Sequence, residues 1–185
     1  AVNTVITAQI QYGAKRNLPW GVSESGYYGF DYRLNYQYRA FGIPDLGLKR
    51  GLVDDIVVSS YSTLLALPFA PRQALDNIEK LLDIGLGGEY GLFEAVDYTP
   101  TRLPGGEKQA LVKSYMAHHQ GMGFIALANY LNDFATVSRF HRHPRIKAGE
   151  LLLQERIPLQ PILTKQIQVP VLPLQPKEVK EEEVV

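Results

Sequence analysis

Two helices with strong apolar stripes bracket residues 85–106, a segment too rich in Gly, Pro and Tyr for helix and too long for a plain connection. Before it, Pro71 takes the first-turn position that proline tolerates. Leu75, Ile78, Leu81, Leu82 and Ile84 then recur with helical period, and Gly85 stops the run. After it, residues 108–131 repeat Val112, Tyr115, Met116, His119, Met122, Gly123, Leu127, Tyr130 and Leu131 at spacings of three and four, which predicts one long helix. A structureless connection of that length in a compact domain is functional or disordered. Its aromatic residues argue for function.

The rest of the chain repeats this design. Residues 4–16 predict an amphipathic helix broken by Asn17, Pro19 and Gly21. Residues 17–33 read as a loop dense in Gly, Ser and Tyr. Leu34–Phe41 suits either a short strand or a helical turn, and Gly42–Gly47 a turn. A buried helix is expected over 59–68, and two shorter ones over 133–142 and 145–156. Beyond Pro158 repeated prolines remove amide donors and block helix, so 159–185 reads as a Pro-rich, acidic linker or tail. The fold class is therefore mainly α, with helical hairpins joined by long Gly- and aromatic-rich loops.

The chain has 185 residues, enough for one domain with a real core, and 45 % are hydrophobic. Nineteen basic residues balance nineteen acidic ones, so no basic stripe argues for a nucleic-acid partner. Cysteine is absent, which excludes disulfides, thiolate metal sites and a Cys nucleophile. No apolar run approaches the roughly 18 residues that cross a bilayer. The start lacks the features of a signal peptide and has the character of mid-helix, so the sequence reads as a piece of a longer chain.

Polar residues of chemical interest sit in the loops. Glu24 lies in Trp-Gly-Val-Ser-Glu-Ser-Gly-Tyr-Tyr, and Glu94 in Tyr-Gly-Leu-Phe-Glu-Ala-Val-Asp-Tyr. Carboxylates among aromatic rings suit carbohydrate chemistry. The rings stack on sugar C–H faces, and glycoside hydrolysis uses two carboxylates that flank the scissile bond. Burial among aromatics would also raise a carboxyl pKa toward the range of a general acid. The competing readings are structural: a capping Glu24, and Glu94 in an ion pair with Arg102 or Lys113. Asp31 and Arg33 either grip hydroxyls or pair with each other, and Asp54-Asp55 reads as an acidic helix entrance. His118 and His119 are adjacent on a helix and point about 100° apart, so they do not ligate one metal together. One belongs in the core; the other, with Gln120, reaches the cleft. His141-x-His143 is a weak metal match, and the glycines at 121 and 123 suit close helix packing.

The segments Trp20–Ser25, Asn35–Gly42, Gly47–Leu52, Tyr90–Pro100, Met116–Met122 and Glu150–Pro158 occur in the order of a known family. Together they resemble the glucoamylase-like central domain of bacterial cyclic β-1,2-glucan synthases. The resemblance covers about residues 4–158 and implies the C-terminal part of an (α/α)6 barrel. It implies cleavage and re-closure of linear β-1,2-glucan by retaining transglycosylation, with Glu24 and Glu94 catalytic. Trp20, Tyr27, Asp31, Tyr98, His118 and Gln120 are then the expected sugar contacts. No cofactor or metal is implied. The implied partners are a β-1,2-glucan oligosaccharide and neighbouring domains of a larger membrane-bound enzyme, on the cytoplasmic side of the bacterial inner membrane. Related helical-barrel enzymes hydrolyse the same glucan, so an inverting hydrolase and a non-catalytic glucan-binding module are the alternative readings.

Overall fold

A computed structural model describes residues 1–47 and 55–153. The chain runs through α1 (Val2–Arg16), a hairpin of β1 (Ser25–Phe30) and β2 (Tyr36–Arg39), β3 (Val57–Ser59), α2 (Ser60–Ala66) and α3 (Pro71–Asp83). It continues through a short hairpin of β4 (Gly87–Gly88) and β5 (Gly91–Leu92), then β6 (Ala95–Asp97), β7 (Ala110–Val112), α4 (Ala117–Leu131), α5 (Ala135–Arg142) and α6 (Pro144–Glu150). The described residues are mainly helical, as the apolar periodicity predicts. The segments Leu48–Leu52, Asp54 and 154–185 named above lie outside the described residues, and with them the expected tail.

The expected loops hold strands. β3, β6 and β7 form an antiparallel sheet with Val58 opposite Val96 and Val96 opposite Leu111. The sheet is the centre of the core: Val57, Val58, Ala95 and Val96 are buried with Ile43, Phe41, Leu81 and Leu86. Full burial of β3 and β6 explains why those two strands are hard to read, since a strand covered on both sides carries no alternation. It also corrects the helix expected over 108–131. Ala110–Val112 pair with β6, Ser114 accepts the Glu94 amide, and helix begins only at Ala117.

Local chemistry explains the helix ends. α1 stops where Asn17 adopts a left-handed conformation (φ 54°), and the amides of Asn17 and Leu18 return to the carbonyls of Ala14 and Gly13. α3 starts at Pro71 and is followed by Gly85 at φ +88°. Its buried line is Ala74, Asn77 and Leu81; Leu75 and Leu82 face outward, contrary to the expected stripe. Gly123 lets α4 close on α2, because a Cβ there would lie 2.7 Å from Leu64 Cδ1, whereas Gly121 meets nothing. The outer face of α4 leaves Phe124, Ile125 and Leu131 exposed.

Two amide side chains set the loop that carries Glu24. Gln9 of α1 donates to the Val22 carbonyl (2.8 Å) and accepts the Val22 amide (3.0 Å). Asn77 of α3 grips Trp20 the same way, at 2.8 and 3.0 Å. Residues 20–22 are thereby laid along β3, with Val22 opposite Val58.

Candidate active site

Glu94 sits just before β6 with its backbone fully used. Its amide donates to the Ser114 carbonyl (2.9 Å), and its carbonyl accepts the Ser60 amide at the start of α2 (3.1 Å). The side chain is 1 % exposed. Oε1 accepts the Gly26 amide at 3.0 Å and lies 2.8 Å from His119 Nδ1. Among the described residues Oε2 has no hydrogen-bond partner, and it is buried. A buried carboxylate oxygen left unpaired is costly, and Ser25 Oγ, the neighbour of Glu24 in the chain, is buried without a partner in the same way.

His119, in the first turn of α4, is held on every side. Tyr61 of α2 stacks on it at 3.8 Å with planes 13° apart. Its Nε2 lies 3.2 Å from Tyr38 Oη, and the same hydroxyl is 3.2 Å from His118 Nε2. Tyr61 Oη meets Ser23 Oγ at 2.8 Å. Glu24, the next residue, is exposed. Its charge bears on both tyrosines, as does that of Glu94. Burial, then the charges of Glu24, Tyr61 and Glu94, push the Tyr38 hydroxyl up to about 12. Burial raises Tyr61 too, against a lowering bond from Ser23 and with further raising by the two glutamates. The two carboxylates singled out in the sequence therefore flank one cluster of Tyr38, Tyr61, His118 and His119.

The expected sugar contacts divide. His118 is exposed and belongs to the cluster; His119 is the core histidine. Gln120 donates to the Leu92 carbonyl (3.1 Å), next to the Glu94 loop. Tyr27 lines a groove of about 670 Å³ between the β1–β2 hairpin and residues 104–114, with Tyr28, Phe30, Tyr36, Glu107 and Lys113. Gly26 and Ser114, whose backbones hold Glu94, form one border of that groove. The other three stand apart. Trp20 is 7 % exposed and packs on Ile6 and Ala66. Asp31 braces the hairpin turn, accepting the amides of Arg33 (2.8 Å) and Asn35 (2.9 Å). Tyr98 is half-buried against the core, and burial raises its hydroxyl to about 12.

Arg102 does not pair with Glu94. It bonds Asp97 through Nε at 2.7 Å and also pairs with Asp55, which takes Arg39 at 2.9 Å. Asp55 is thus a bridge between arginines and not a helix entrance; α2 begins only after β3. His141 pairs with Glu150 on α6. Among the described residues no group of three or more His, Cys, Asp or Glu side chains is close enough to hold a metal ion. Sequence reasoning missed Tyr38, Tyr61 and Gly26. Only the aromatic density around them hinted at a shared pocket.

Residues 5–144 match the Glycoamylase family, described as putative glucoamylase. The chain belongs to this family. Within the glucoamylase-like group it is 46 % identical over 156 residues to the cyclic β-(1,2)-glucan synthase NdvB of Rhizobium meliloti (strain 1021), covering 84 % of this chain and 6 % of that protein. Among solved structures it aligns with an endo-β-1,2-glucanase from Chitinophaga pinensis at TM-score 0.51 and 22 % identity, covering 82 % of this chain and 34 % of the other. That likeness bears on the fold alone. The glucoamylase-like chain spans only a small share of the length of either relative. No helix among its described residues is long and apolar enough to cross a membrane.

Proposed function

We propose that this chain is the C-terminal part of an (α/α)6 barrel that cuts linear β-1,2-glucan and closes it on itself by anomer-retaining transglycosylation. One observation carries the reading: Glu94 is buried with one oxygen held by the Gly26 amide and His119 and the other without a partner among the described residues, and the exposed Glu24 lies two residues before that amide in the chain. That is the pairing of an oriented nucleophile with a solvent-facing acid/base. The synthase at 46 % identity supplies the substrate.

In the first step Glu94 Oε2 bonds to the anomeric carbon, the glycosidic C–O bond breaks, and the proton of Glu24 goes to the leaving oxygen. In the second, a hydroxyl of the same glucan attacks that carbon, gives its proton to Glu24, and releases Glu94. Closure outruns hydrolysis where water is excluded. The aromatic groove bordered by Gly26 and Ser114 offers such a surface, with Tyr27 beneath the glucan and His118 and Gln120 at the cleft. The exposed outer face of α4 suits the remaining barrel helices, supplied by a longer, membrane-bound enzyme that works on the cytoplasmic side of the inner membrane.

The test uses the complete longer enzyme and linear β-1,2-glucan. Glu94→Gln abolishes cyclic product, and the wild type releases product of the substrate's own anomer by NMR. Inverted product would move the reading to a hydrolase that works by single displacement; unchanged cyclisation by Glu94→Gln would end it.

A further inference from the structure

Four consecutive residues, where β3 passes into α2, hold the two loops that carry the glutamates. The Ser59 amide donates to the Gly21 carbonyl at 2.9 Å, and Ser62 Oγ donates to the same carbonyl at 2.9 Å. The Ser60 amide donates to the Glu94 carbonyl at 3.1 Å. Between them Tyr61 reaches both loops. Its ring stacks on His119, which meets Glu94 Oε1 at 2.8 Å, and its hydroxyl lies 2.8 Å from Ser23 Oγ.

Glu24 therefore sits in a short span tied at both ends. Ser23, just before it, is bonded to Tyr61, and Gly26, two residues after it, donates its amide to Glu94 Oε1 at 3.0 Å. Both ties lead to one carboxylate oxygen, the first through Tyr61 and His119 and the second directly. Two residues of backbone and one hydrogen bond keep the Glu24 Cα within about 9 Å of that oxygen. Gln9 holds Val22, so the Tyr61 bond is the last fixed point before Glu24.

Tyr61 is 6 % exposed. A Phe would fill the same space and stack on His119 equally well, and a buried hydroxyl is costly unless it finds a partner. Among the described residues this hydroxyl bonds only Ser23. What it adds to the site is the placement of the Glu24 loop.

We infer that Tyr61 is a positioning residue whose hydroxyl holds the Glu24 loop against the His119–Glu94 pair. This rests on the proposed glycosidic role of the two glutamates and names the side chain that sets one against the other.

The test compares wild type, Tyr61→Phe, Ser23→Ala and the double variant in the complete enzyme on two substrates. One is linear β-1,2-glucan, whose leaving sugar needs a proton; the other is an aryl β-1,2-glucoside whose phenolate leaves without one. Tyr61→Phe and Ser23→Ala remove the two halves of one bond. Each lowers kcat on glucan about 10-fold through a displaced acid and leaves KM within about twofold. The first-turnover burst of phenolate stays within about threefold of wild type, because Glu94 and His119 are untouched. The double variant loses about 10-fold and not about 100-fold, since both changes break the same contact. Unchanged glucan turnover, equal losses on both substrates, or losses that multiply in the double variant overturn the inference. Glu94→Gln runs alongside: if it is inactive while Tyr61→Phe behaves as wild type, only the positioning role falls; if it is active, the catalytic reading falls and the positioning role with it.

Discussion

Glu94 and Asp97 are buried acids at either end of the three-residue strand β6, at 1 % and 0 % exposure, and they are treated in opposite ways. Asp97 is saturated. It accepts the Tyr28 amide at 3.1 Å, the Thr99 amide at 2.9 Å, and Arg102 through Nε at 2.7 Å and a terminal nitrogen at 3.1 Å. Burial acts to lower the Arg102 pKa, but the bonds and charges of Asp97 and Asp55 outweigh it and leave the guanidinium raised. Among the described residues Glu94 has donors on one oxygen and none on the other. Burial alone therefore does not fix how a carboxylate is held: Asp97 is fully hydrogen-bonded and Glu94 only half. Asp97 ties β1 to β6, and so places the Gly26 amide that orients Glu94.

The contrast can be broken by exchanging the expected outcomes. Glu94→Gln lowers activity by about 10³-fold or more, with a melting temperature close to that of wild type, because the Gln carbonyl still accepts from Gly26 and His119. Asp97→Asn does the reverse, destabilising by about 3–5 kcal/mol, since it leaves Arg102 half-paired in the interior; denaturant melts read this directly. If the stability losses fell on Glu94 and not on Asp97, the distinction would be wrong. Gly26→Ala sharpens it. The new methyl would lie 3.4 Å from Glu94 Cγ and 3.5 Å from Val112 Cγ1, an ordinary contact. Activity and melting both stay close to wild type, since nothing around Glu94 has to shift.

The smallest expected change lies at the hairpin tip. The side chain of Asn35, then its amide, hold the Asp31 carboxyl below its ordinary value. The folded pKa lies below the unfolded one, so this contribution is present above about pH 3.9 and lost as pH falls through the lowered value. Asp31→Asn therefore has a slightly lower melting temperature near neutrality, and the gap narrows in acid.

The helices were legible because their signals are local. Pro71 and Gly85 bound α3, and Asn17 closes α1. The sheet was not. Ala95–Asp97 and Val57–Ser59 are buried throughout, so they lack the alternation that reveals a half-exposed strand. The periodicity through Val112, Tyr115 and Met116 mimicked a helix that tertiary pairing with β6 overrides. Glu94 stood out because Phe93 and Ala95-Val96 make a poor setting for a solvated acid. Its partners could not be read, since Gly26 and His119 come from the hairpin and from α4, and only the fold joins them. Trp20 could not be placed for the same reason: an aromatic beside a glutamate suits a sugar platform and a core equally, and only the fold puts it against Ile6 and Ala66.

The most direct measurement looks for the bond that the proposed mechanism gives to Glu94. A Glu24→Gln variant of the complete enzyme, given an aryl β-1,2-glucoside, passes the first step without an acid and stalls at the second without a base. Mass spectrometry of the intact protein then shows a glycosyl adduct, and peptide mapping locates it on Glu94. No adduct, or an adduct on another residue, contradicts the account.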